Sequence, residues 1–159
     1  MSRSHFGFML VGALAMLTLF GSNATADDAK DEAIKNDRKM LEGTWRLVSY
    51  EINGTKINEE YIKNFTVVNS TDGTWSLRSK GNEVIKGTST IDPTQKPKTI
   101  VFIPSKGHGE GKRFNGIYIL GEKTRKLCFA SAGKDRPTEF TSTPGNEIFL
   151  ATFEREKPK

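Results

Sequence analysis

The chain has 159 residues, the size of a single domain, and a formal net charge of +5. The basic residues are spread through predicted turns and strand edges, whereas a nucleic-acid-binding protein has them clustered on one face with aromatic residues between them. The sequence therefore predicts no nucleic-acid partner. Cys128 is the single cysteine, which excludes an intramolecular disulfide and leaves the fold to be held together by its core.

The first 26 residues have the pattern of a secretory signal peptide. Arg3 supplies the positive start, residues 6–20 form an apolar run, and the small residues 24–26 form a cleavage site. The run is shorter than the roughly 20 apolar residues of a membrane-spanning helix. We therefore predict cleavage after Ala26, export to the periplasm or the extracellular space, and no membrane span afterwards. The alternative is an uncleaved anchor.

Residues 27–40 are rich in charge and contain neither Gly nor Pro. Their apolar stripe is thin, with Ala33, Ile34 and Met40 as its members. The segment is therefore either a linker or a short helix that caps one end of the domain. The domain itself is predicted over residues 41–156.

From Gly43 onward the pattern becomes that of β-strands. Short segments rich in β-branched and aromatic residues alternate with turn signals such as Asn53-Gly54 and Asp72-Gly73. Eight such segments cover residues 44–52, 65–68, 74–79, 83–91, 99–103, 113–120, 125–130 and 147–155. Eight strands with mostly short connections, and no helix between them, predict an all-β fold: an antiparallel up-and-down barrel. Residues 99–103 are apolar on both faces, so the N-terminal segment or a second copy is expected to cover the outer one.

Gly43 and Trp45, at the start of the first strand, resemble the G-x-W signature of lipocalins and their relatives. That resemblance implies that Trp45 plugs the closed end of the barrel. It also implies that a basic residue of the last strand, here Arg155, packs over the indole ring by stacking and cation–π attraction. The second lipocalin motif is absent.

A further resemblance covers nearly all of residues 41–155. The strings "LEGTWRLVSYEING", "GIYIL" and "KLCFASAGKDRPTEF" resemble a family of small exported lipocalin-like domains that is abundant in planctomycete bacteria. The resemblance implies the barrel and export. It implies no catalytic residue, because none is established for that family.

Aromatic residues alternate along the predicted strands, and an eight-stranded barrel either holds one small ligand or is filled by its own side chains. We therefore expect a non-catalytic module that binds a small apolar molecule. The expected ligand-binding residues are Trp75, Phe102, Tyr118, Phe129 and Arg136. The alternative is a structural or protein-interaction module with a filled barrel, which meets a protein partner or a second copy of itself.

A second alternative is an enzyme that uses Asp135, Arg136 and Glu139 of the "GKDRPTEF" segment, although turn chemistry alone explains these residue types. His108 is the one histidine after residue 26 and lies in a glycine-rich loop. One histidine and one cysteine are too few for the three or four protein ligands of a zinc site. The sequence thus predicts no catalytic residue, no metal and no cofactor.

Cys128 lies in the middle of a predicted strand, between two apolar residues. A free cysteine in that setting is most often a small buried hydrophobic residue. Lys126 lies on the same face of the strand, so a reactive thiol stays open as an alternative.

Overall fold

A computed structural model describes residues 25–157 of the chain. The predicted signal peptide lies outside these residues except for its last two, Thr25 and Ala26. Within the described part, two helices and nine strands follow one another: α1 (Ala26–Leu41), β1 (Gly43–Ile52), β2 (Thr55–Lys56), α2 (Glu59–Ile62), β3 (Phe65–Asn69), β4 (Thr74–Ser79), β5 (Asn82–Asp92), β6 (Lys98–Lys106), β7 (Phe114–Leu120), β8 (Thr124–Ala130) and β9 (Ile148–Arg155).

Eight of the strands, β1 and β3 to β9, form a closed antiparallel barrel. Each strand pairs with the next along the chain, and β9 returns to pair with β1, where Trp45 lies opposite Arg155. The two residues of β2 form a short hairpin with the end of β1. The predicted eight-stranded up-and-down barrel is therefore confirmed. Closure pairs every barrel strand on both sides, so no long edge is left to aggregate.

Helix α1 lies at one end of the barrel, and we call that end the closed end. Thr25 and Asp28 form a capping box that satisfies the first backbone N–H groups of the helix. The helix contacts β5 and β7, and Ile34 and Leu41 pack into the interior core. Residues 27–40, for which the sequence predicted either a linker or a short helix, are thus helical. They cover the barrel interior on this side.

The expectation of no helix among the strands is wrong, since the single-turn helix α2 lies between β2 and β3. Asn58 caps it by accepting a hydrogen bond from the backbone N–H of Glu60. Ile62 from this helix is only 4% exposed and joins the interior core. Because β3 begins here and ends beside Gly43, α2 lies at the end of the barrel opposite α1, which we call the mouth.

A second, smaller core lies on the outer face of β7, β8 and β9. It contains Ile117, Cys128, Ala130 and Ile148, and Phe140 packs against them. The polar segment 131–147 therefore covers the apolar outer surface of these three strands. The sequence suggested the N-terminal segment or a second copy as the cover of an outer face, with residues 99–103 on β6 as its example. None of the helices in residues 25–157 has the length and apolar character needed to cross a membrane.

Candidate ligand-binding cavity

The barrel interior contains a cavity of about 400 Å³. It extends from the closed end, where Leu41 borders it, to the mouth, where Ile62 and His108 border it. Aromatic side chains form much of its wall: Phe65, Trp75, Phe102, Phe114, Phe129 and Phe149. A concave, mostly apolar site with few polar groups is typical of small-molecule binding.

Four aromatic rings of the wall, one each from β4, β6, β8 and β9, contact one another in a row. Trp75 meets Phe102 edge to face at 5.8 Å between centroids, Phe102 meets Phe129 at 5.8 Å, and Phe129 stacks on Phe149 at 5.1 Å. Such pairs hold each ring in a defined orientation. Three of the predicted ligand-binding residues, Trp75, Phe102 and Phe129, thus lie side by side on the wall. Phe149 was not predicted, although its alternation with Ala151 and Phe153 on β9 indicates an inward face.

The other two predicted ligand-binding residues do not line the cavity. Tyr118 is 1% exposed, and its hydroxyl donates a 2.6 Å hydrogen bond to Asp37 of α1. Burial, and then the bond to that carboxylate, raise the pKa of Tyr118. Arg136 donates from Nη1 to two backbone carbonyls, that of Ile100 on β6 and that of Gly116 on β7. Both side chains therefore bind the barrel to the segments that cover it.

The three candidate catalytic residues of the "GKDRPTEF" segment do not converge on a pocket. Asp135 and Glu139 are exposed, and neither they nor Arg136 borders the cavity. Cys128 is fully buried beneath the segment and donates from Sγ to the carbonyl of Glu139 at 3.3 Å. Burial raises the pKa of this thiol, which favours the unreactive protonated form.

The closed end is built around Trp45, which is 0% exposed. Its Nε1 donates a 2.8 Å hydrogen bond to the carbonyl of Leu41, the last residue of α1. The guanidinium of Arg155 lies 4.2 Å from the centroid of the ring system. Gly43 adopts a φ of 107°, and a Cβ there would lie 3.3 Å from the Arg155 guanidinium. The three residues singled out by the resemblance therefore meet at one point.

Each nitrogen of the Arg155 guanidinium has an acceptor. It donates hydrogen bonds to three backbone carbonyls around the closed end, those of Met40, Glu42 and Glu122. These bonds connect the last strand to the end of α1 and to the turn between β7 and β8. Arg155 therefore fastens the helix over the barrel end.

Arg125 on β8 is a second arginine at the closed end, and the sequence interpretation missed it. It alternates with Leu127 and Phe129, so it shares their inward face and lines the cavity. The side chain is buried, with Cζ 5.0 Å from the Trp45 centroid and 4.5 Å from that of Phe153. The signal that could have found it is a charged residue at an inward position of "TRKLCFA".

The electrostatic setting of Arg125 is unfavourable. Its Nε and Nη2 atoms are buried without a hydrogen-bond partner. Burial, and then the positive charge of Arg155, lower the pKa of Arg125 to about 9. The group is nevertheless charged at neutral pH, so the cavity wall contains a cation that forms no ion pair within residues 25–157.

Comparison with known proteins adds no relative: no family model, no curated protein and no solved structure matches the chain. The geometry of the cavity is therefore the ground for a proposed function.

Proposed function

We propose that the protein is a non-catalytic, exported module that binds a small, largely apolar molecule in its barrel. The observation that supports this function is the cavity of about 400 Å³, which falls within the range of about 300–1,000 Å³ typical of ligand pockets. Its aromatic wall favours an apolar occupant, since each Å² of apolar surface removed from water contributes about 25 cal/mol.

Export is supported by the signal-peptide pattern of residues 1–26 and by the resemblance to exported lipocalin-like domains. The proposed location is the periplasm or the extracellular space. The cavity weighs against a barrel filled by its own side chains. The separation of Asp135, Arg136 and Glu139 from the cavity weighs against an enzyme built on that segment.

Native mass spectrometry of the protein purified gently from its own host is the direct test. We expect a bound small molecule near a one-to-one ratio. The second measurement is titration with N-phenyl-1-naphthylamine, an uncharged apolar molecule that fluoresces when it leaves water. A bare protein mass together with no fluorescence response would contradict the proposal.

A filled-cavity variant links binding to the barrel interior. Ala151 is buried on the cavity wall, so Ala151→Phe places a ring in the space that the ligand needs. We expect at least tenfold weaker binding of the naphthylamine. Ile119 is 53% exposed, and Ile119→Phe is the matched control that adds a ring outside. Equal binding by both variants would place the probe elsewhere on the protein.

A further inference from the structure

One complete edge of the Arg125 guanidinium is buried without a hydrogen-bond partner. The two unpartnered nitrogens, Nε and Nη2, carry parallel N–H bonds on the same side of the group. A carboxylate accepts this pair of donors in a bidentate arrangement, which gives strong and geometrically specific hydrogen bonds. The rings of Trp45 and Phe153 attract the cation but supply no carboxylate or carbonyl acceptor.

No acidic side chain of the described residues forms an ion pair with Arg125. A buried charge is costly unless it is paired and hydrogen-bonded. Arg155 cannot serve as the partner, because it carries the same charge. Residues 25–157 thus supply no acidic partner for Arg125, which leaves a place for an anion bound in the cavity.

Two more residues that line the cavity carry unpartnered donors. The indole Nε1 of Trp75 and the amide Nδ2 of Asn69 are buried without hydrogen-bond partners. Asn69 pairs with Trp75 across β3 and β4 and with Gly43 across β3 and β1, which places both donors beside the closed end. An indole N–H only donates. The residues at this end of the cavity thus carry several donors that lack acceptors.

We propose that Arg125 binds the carboxylate of the ligand, and that the ligand is an apolar monocarboxylate of the fatty-acid class. This inference rests on the proposed function. The head group lies at the closed end against Arg125, and the hydrocarbon chain runs along the aromatic wall towards the mouth. The apolar wall binds the chain, and the buried guanidinium selects the acid over uncharged molecules of the same length.

The test compares three probes that share a twelve-carbon chain: dodecanoate, dodecanol and dodecyltrimethylammonium. Each displaces N-phenyl-1-naphthylamine from the wild-type protein at pH 7. We expect dodecanoate to bind at least tenfold more tightly than dodecanol, as follows from the strength of hydrogen bonds to charged groups. The cation should bind most weakly. This comparison needs no variant, so it stands whatever a substitution does to folding.

Arg125→Met then removes the charge and keeps much of the volume. We expect the preference for dodecanoate over dodecanol to fall to about one. Arg46→Met is the matched control, because Arg46 is an exposed arginine on β1 whose partner is Glu154. Circular dichroism checks the fold of both variants.

The outcomes separate this inference from the proposed function. Equal binding of dodecanoate and dodecanol by wild type would overturn the role of Arg125 and leave an apolar binding module standing. A dodecanoate preference that survives Arg125→Met would also overturn it. If neither dodecanoate, dodecanol nor the naphthylamine binds, both proposals fall.

Discussion

Trp45 lies within 5.0 Å of two guanidinium groups that differ in one respect. Arg155 donates to three backbone carbonyls, whereas Arg125 has two nitrogens with no acceptor. A satisfied charge stabilises the structure around it, and an unsatisfied one costs stability until a ligand arrives. At the scale of single residues, the hydrogen bonds therefore distinguish Arg155, which the fold satisfies, from Arg125, to which we assign ligand binding.

Replacement of Trp45 tests the closed end. Trp45→Ala should lower the free energy of unfolding by about 3–5 kcal/mol, since it removes a fully buried ring and its bond to Leu41. Trp45→Phe keeps a ring and should cost less. Urea unfolding followed by circular dichroism measures both changes. A change near zero for the alanine variant would mean that Trp45 does not close the barrel.

The two arginines should respond in opposite ways to loss of charge. Arg125→Met should leave the ligand-free protein as stable as wild type or raise its free energy of unfolding by up to about 4 kcal/mol, because a buried unpaired charge disappears. Arg155→Met should lower it by about 1–3 kcal/mol, because three carbonyls lose their donor. Urea unfolding of both variants is the measurement. Destabilisation by Arg125→Met would show that the two aromatic rings compensate its charge.

At the scale of elements, the strands can be predicted from local sequence signals, whereas the segments that pack over the barrel cannot. Turn pairs such as Asn53-Gly54 divide the chain into strands whose apolar residues repeat every second position, and that pattern dictates a barrel. Helix α2 is too short for helical periodicity to show. Segment 131–147 has a polar composition, so its apolar contact through Phe140 depends on folding. Arg125 was not predicted to line the cavity, because a charged residue ordinarily occupies an exposed position.

Helix α1 is held to the barrel by a buried polar cluster. Asp37 accepts hydrogen bonds from the Tyr118 hydroxyl and from the Lys98 ammonium, at 2.6 and 2.8 Å. Asp37→Ala should lower the free energy of unfolding by about 1–3 kcal/mol, because the buried hydroxyl loses its acceptor. Glu32→Ala, an exposed change on the same helix, should stay within about 0.5 kcal/mol.

Urea unfolding of these two helix variants provides the comparison. If both substitutions lowered the free energy of unfolding equally, the hydrogen bond between Tyr118 and Asp37 would not hold α1 to β7. Tyr118→Phe removes only the hydroxyl, and its effect combined with that of Asp37→Ala should be less than additive, as expected for residues in direct contact.

At the scale of the whole molecule, the barrel holds a cavity inside its main core. The wall residues around it lack partner atoms on one side and lose those dispersion contacts. Cys128 forms no disulfide, so cross-links do not offset this loss. We therefore expect the cavity to lower the stability of the ligand-free barrel. A ligand bound there would supply the missing contacts.

Ligand binding should consequently raise the melting temperature. A molecule that binds only the folded state adds about 2.7 kcal/mol at 100 times its Kd. Each kcal/mol raises Tm by roughly 2–8 °C in domains of about this size. N-phenyl-1-naphthylamine at that concentration should therefore raise the wild-type Tm, measured by circular dichroism, by several degrees or more. Ala151→Phe should show a rise about half as large or smaller at the same concentration, because its ring occupies the cavity and weakens binding at least tenfold. An unchanged wild-type Tm at that concentration would exclude binding to the folded barrel.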